Sequence, residues 1–162
     1  MKILLRLKAW QLFVLTLVPM MFVGLNILFQ IIYLLGAAIY VGWIFSVGST
    51  MHSFIDSESR PRIIYFKISC LLMFSIIVVG FYTPFESIGN TYFYFVFGII
   101  GIVVMLYSFM FAARMLESAI EGKIVNRSES LKTFFYIWVF PIGVWYLQPA
   151  VKRVLMQHET NS

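Results

Sequence analysis

From Trp10 to Thr50 the chain carries no Asp, Glu, Lys, Arg or His. As one helix this stretch would measure roughly 60 Å at 1.5 Å per residue, about twice the hydrocarbon thickness of a bilayer. Backbone amides in lipid find no water, so a spanning segment of this kind must be helical. Its length requires it to fold back. The expected turn is Gly24-Leu25-Asn26, because Gly and Asn tolerate turn dihedrals. The stretch then divides into a first helix from about Trp10 to Val23, interrupted by Pro19, and a second from about Ile27 to Val47.

Further apolar runs follow. A polar gap from His52 to Arg62, with Pro61 and a Ser/Asp cluster, reads as a loop. Ile63 to Tyr82 is the third run, with Lys67 close enough to its start to snorkel. The gap Thr83 to Asn90 holds one acidic and no basic residue. Thr91 to Ala113 is the fourth run, its helix continuing to Gly122, an expected helix stop. After the polar stretch Lys123 to Lys132, a last run from Thr133 to Val151 is broken by Pro141, Gly143 and Pro149. Hydrophobic residues make up 61% of the chain and charged residues 12%, where soluble domains stand nearer half and a quarter. The fold expected is all-α: a single polytopic transmembrane helical bundle over residues 1–162.

Charge sets its orientation. The twelve Lys and Arg fall before the first helix (Lys2, Arg6, Lys8), around the second gap (Arg60, Arg62, Lys67), between the fourth and last runs (Arg114, Lys123, Arg127, Lys132) and after the last run (Lys152, Arg153). The positive-inside rule then predicts a multi-pass inner-membrane protein with a cytoplasmic N-terminus. If the last run spans, Lys152 and Arg153 lie outside. If it re-enters or lies along the interface, every basic residue is inside. The second arrangement is favoured: four spans plus a C-terminal re-entrant or interfacial segment, with five spans as the alternative. The basic start followed by an apolar core lacks a small-x-small cleavage pattern, so no cleaved signal is expected.

The net charge of +5 is a topology signal here, and no gap is long enough for a nucleic-acid recognition domain. Cys70 stands alone, so neither a disulfide nor a zinc site is expected. The central positions of the four main runs hold no ionisable residue, which argues against proton relays and embedded acid/base chemistry. No cofactor, metal or catalytic site is expected. His52, Asp56 and Glu58 share one gap and read as a hydrated loop. His158 reads as part of an unstructured tail. Arg114, Glu117 and Glu121 follow helical spacing, with Arg114 and Glu117 an i,i+3 pair on a solvated helix end. Asn26 and Gln30, four apart, read as interhelical or interfacial hydrogen bonding. Asn126-Arg127-Ser128 fits a glycosylation sequon but is expected in the cytoplasm.

Two patterns are candidates for function. Small residues form stripes, Ala38, Gly42 and Ser46 on the second helix and Gly98, Gly101, Ser108 and Ala112 on the fourth. Such stripes allow close helix packing or a homo-oligomer interface. The second pattern is the aromatic string from Phe134 to Pro149, a bent interfacial segment anchored by Trp138 and Trp145, with Pro141, Gly143 and Pro149 breaking it and Gln148 at the interface. Through Trp138-x-x-Pro141-Ile142-Gly143-x-Trp145-x-x-Gln148-Pro149, and the start Lys8-Ala9-Trp10-Gln11-Leu12-Phe13, the chain resembles a group of small Bacteroidetes-type bacterial integral membrane proteins. The resemblance covers the two ends better than the middle, and Ala150-Val151 stands where that pattern has a basic residue. It implies a source and a shape and no activity.

The function expected is that of a non-enzymatic scaffold, sensor or accessory subunit whose partners are the lipid bilayer and another membrane protein. Alternatives are an oligomerising membrane effector in stress or phage defence, a small channel or transporter, and a lipid enzyme using His52, Asp56 or Glu58.

Overall fold

The structure, a computed structural model, describes residues 2–21, 27–55, 60–82 and 91–160. The expected turn at Gly24, with Asn26, falls outside them, as do Asp56, Glu58 and the gap at 83–90. Every regular element among the described residues is an α-helix: α1 (Lys2–Arg6), α2 (Ala9–Met21), α3 (Ile27–Ser53), α4 (Ile64–Tyr82), α5 (Thr91–Glu121), α6 (Leu131–Trp138) and α7 (Phe140–Thr160). Segments 27–53, 64–81 and 95–121 are long and apolar enough to cross a membrane, which points to a membrane protein. At 13 residues α2 is only about 20 Å long, short of the roughly 30 Å hydrocarbon layer.

Local chemistry sets the helix ends. The Gln11 side chain reaches back to accept from the Lys8 amide at 2.9 Å, one half of a capping box that starts α2. Gly122 ends α5 with φ +67°, the left-handed conformation that favours glycine, as its position in the sequence predicts. Two helices run further than their apolar patterns. Residues 48–53 continue α3 and residues 152–160 continue α7, because tertiary contacts hold these turns and hydropathy does not report such contacts.

α3 is the hub, packed by α1, α2, α4 and α5. α4 runs antiparallel to it: Phe66 lies against Gly48 and stacks on Phe45 with ring centres 6.1 Å apart, while Tyr33 stacks on Phe81 at the far end. α5 runs antiparallel to α4, with Phe111 on Phe66 at 4.5 Å, Ser108 bonded to Ser69, and Gly101 beside Ile76. The Ser69–Ser108 bond is a polar tie between two apolar helices, typically worth about 0.6–2 kcal/mol in a membrane.

A β-carbon at Gly48 would lie 2.4 Å from Phe66 Cζ. The Phe66 ring is fully buried between Phe45 and Phe111 and has little room to move. Gly48→Ala is therefore expected to destabilise by about 1–3 kcal/mol through overpacking, seen as a lower unfolding midpoint in detergent. An unchanged midpoint would mean that the three-ring stack yields freely.

The last apolar run is two helices. α6 ends at Trp138, and α7 runs alongside α3 in the same direction: Phe140 packs on Tyr40 at 4.8 Å, Gln148 bonds Trp43, and His158 stacks on Phe54 at 4.0 Å. The break is sharp. Tyr136 and Tyr146 stack 5.0 Å apart although ten residues of straight helix would separate them by about 15 Å. Pro141 sits in the first turn of α7, where its missing N–H costs nothing. Arg6 Nη2 meets Glu159 Oε1 at 2.7 Å, so both ends of the chain lie where α3 finishes.

Candidate functional site

The C-terminal string builds the core and also presents a surface. Trp138, Pro141, Trp145 and Pro149 are exposed, and Gly143 is buried. Phe135, Ile142 and Tyr146 are exposed like the two tryptophans, with Phe135 stacked on Trp138 and Trp145 beside Phe13 of α2. Gln148 departs from its expected interfacial place and is 1% exposed. Its Oε1 accepts from Trp43 Nε1 at 3.0 Å, and its Nε2 donates to the carbonyls of Leu5 and Leu7 at 2.9 and 2.8 Å, with Leu4 at 3.4 Å. Those carbonyls belong to the end of α1 and the break after it, where helical partners run out. One side-chain amide thus satisfies a helix end and a buried indole together. Tyr40 Oη does the same for α6, donating to Ile137 O at 3.0 Å.

The small-residue stripes are divided between environments. Ser46 is buried and donates to Gly42 O at 2.7 Å. Ala38 and Gly42 line an open lateral groove between α3 and α4, together with Phe45, Lys67, Cys70 and Phe74. On α5, Ser108 and Ala112 are fully buried and Gly101 abuts α4, whereas Gly98 is exposed, and a β-carbon there would meet nothing within 4 Å. The tighter approaches on α3 are Gly36, against Pro19 and Thr16, and Gly48, against Phe66.

Two other readings change. His52 is not in a hydrated loop: it is buried in the last turn of α3, its Nε2 bonded to Pro61 O at 2.8 Å. That bond ties the loop to the bundle and engages one of the two ring nitrogens. His158 lies within α7 rather than in a loose tail. Arg114 and Glu117 serve separate contacts, Arg114 Nε donating to Val125 O at 2.9 Å and Glu117 accepting from Thr133 Oγ1.

That last pair of contacts introduces a site the sequence pattern did not reveal. Between α4, α5 and α6 lies a cavity of about 500 Å³, lined by Arg62, Arg114 and Arg127, by Tyr65 and Tyr107, and by apolar side chains including Met110 and Phe134. Arg127 is carried on a loop fastened by Val125 N to Ser118 Oγ (3.2 Å), Asn126 N to Glu129 Oε2 (3.0 Å) and Ser130 Oγ to Arg127 O (3.0 Å). No carboxylate lines the cavity among the described residues. Also among them, no three His, Cys, Asp or Glu side chains converge on a point where a metal would sit. No family model, curated protein or solved structure matches the chain.

Proposed function

We propose that this chain is a non-enzymatic, multi-pass component of a bacterial inner membrane that acts as a scaffold or accessory subunit through contacts with a partner protein. It crosses the bilayer four times, with α3, α4 and α5 as full-length spans and the first apolar run, of which α2 covers about 20 Å, as the fourth, so that both ends lie in the cytoplasm and α6–α7 fold back among the other helices. The observation that carries this reading is the meeting of the chain ends, Arg6 with Glu159, beside the Phe54–His158 stack. A fifth crossing would separate them by a bilayer. The basic bias of the sequence supports the same orientation, and the likeness of its two ends to the small Bacteroidetes-type group supports the inner membrane. The partner surface is formed by the exposed aromatic residues of α6 and α7, since Trp and Tyr are favoured as contact residues.

Reporter fusions after Ser162 test the topology. A reporter active only in the cytoplasm should give signal, and one active only in the periplasm should not; the opposite result sinks the four-crossing reading. Photocrosslinking residues at Trp138 and Trp145, compared with lipid-facing Leu71, test the function. A discrete heterologous protein adduct from the first two positions and not from Leu71 is expected. Lipid adducts from all three would end the scaffold proposal.

A second reading, a self-associating membrane effector, has one observation in its favour: Gly98 leaves an open place on α5 where a neighbouring helix would fit. In this case the adduct has twice the mass of the chain and forms from a crosslinker placed on α5.

A further inference from the structure

We propose that the cavity between α4, α5 and α6 is a binding site for one anionic phospholipid, with the headgroup phosphate held by Arg62, Arg127 and Arg114. Three guanidinium groups share one lining, and no carboxylate among the described residues offsets them. Like charges gathered near a protein surface repel one another, so such a cluster favours an anion between them. Arginine suits a phosphate in particular, because its planar fork donates in pairs to the oxygens.

The groups are available. The side chains of Arg62 and Arg127 donate to no group among the described residues, and Arg114 commits only its Nε, to Val125 O. The site is also assembled before any ligand arrives. The bonds from Ser118, Glu129 and Ser130 fix the Arg127 loop, and the Val125 carbonyl orients Arg114.

The rest of the wall selects a lipid over a soluble phosphate. Below the arginines the lining is Leu106, Met110, Phe111 and Phe134, with the two tyrosine rings. From Tyr107 an exposed apolar track continues along one face of α5 through Val103, Ile99 and Val96, at the spacing of successive helical turns. A chain following that track leaves its headgroup among the arginines. Basic pockets between membrane helices recognise anionic headgroups in this way.

This inference rests on the membrane-embedded reading and not on the partner contacts. The two fail separately, because lipid retention is read on the purified chain whatever the crosslinking shows. The full chain is purified in mild detergent, exposed to phosphatidylglycerol or to phosphatidylcholine of identical acyl chains, and its bound lipid counted by native mass spectrometry. Phosphatidylglycerol should be retained at least tenfold better. The double variant Arg62→Gln, Arg127→Gln should lose that preference by about tenfold, while Lys152→Gln, Arg153→Gln, the same change of charge on α7, should stay within twofold of the parent. Equal losses in both pairs, or equal retention of the two lipids, would overturn the proposal. Displacement of the lipid by low millimolar inorganic phosphate would overturn it too, by making this a soluble-anion site.

Discussion

Gly143→Ala should unfold α6 and α7 or force them into a different path. A β-carbon built on Gly143 falls 1.6 Å from Tyr136 O, 2.4 Å from Tyr136 C and 2.7 Å from Tyr136 Cα. All three are backbone atoms, so no rotamer change relieves the overlap. To restore ordinary contact, α6 and α7 must separate by about 2 Å. That movement strains the Gly143–Val139 amide bond of 2.9 Å, the Tyr136–Tyr146 stack and the Tyr40–Ile137 bond together. The expected cost exceeds about 4 kcal/mol, a size that point substitutions reach only by a mechanism of this kind. Gly98→Ala is the control. It has open space around it and lies inside a helix, so it should be neutral or gain up to about 1 kcal/mol. Thermal unfolding in detergent and tryptic cleavage after Lys132 in α6 and Lys152 in α7 report the difference. Similar midpoints for the two variants would show that the sharp turn is not needed.

Gln148→Leu should have the second largest effect. Leucine has nearly the same volume, so little packing is lost; what changes is hydrogen bonding. Trp43 Nε1 and the carbonyls of Leu5 and Leu7 lose their partner in a region where Leu5 and Trp43 are 0% exposed. Each stranded buried group costs about 1–3 kcal/mol, so a total near 3–5 kcal/mol is expected. Gln148→Glu should be worse, because it presents a carboxylate to the same carbonyls and removes the donor. Trp43→Phe should be mildest in hydrogen bonding, leaving Oε1 without its donor, with a small cavity where the indole was. Unfolding midpoints in that order support the latch. If Gln148→Glu were as stable as Trp43→Phe, the amide would not be donating to α1.

The long helices were legible in the sequence because hydropathy reports them directly. Ile27 opens α3, Tyr82 closes α4 and Gly122 stops α5, all at the expected residues. The last run is broken, but at Val139: Pro141, Gly143 and Pro149, the residues expected to break it, all lie inside α7, Pro141 in its first turn and Pro149 in its interior. What was not legible depended on residues far apart in the chain. Gln148 and Leu5 are separated by 143 positions, and no periodicity links them. For the same reason the buried amide looked like an interfacial one. His52 looked loop-like because its neighbours are polar, whereas Phe111 and Pro61, contributed by other segments, enclose it. The three arginines come from two gaps, Arg62 from one and Arg114 and Arg127 from the other, where each was fully explained by topology. Only the antiparallel packing of α4 and α5, and the fastened loop after α5, brings them to one cavity.

The Gln148 contact also fixes an order of events in biosynthesis. α1 is made 143 residues before its latch. At 5–20 residues per second the interval is roughly 7–30 s. During that time the carbonyls of α1 and the indole of Trp43 must find temporary partners in water or in lipid headgroups. The end of α1 is thus held in waiting until Gln148 has been made and has folded back to it.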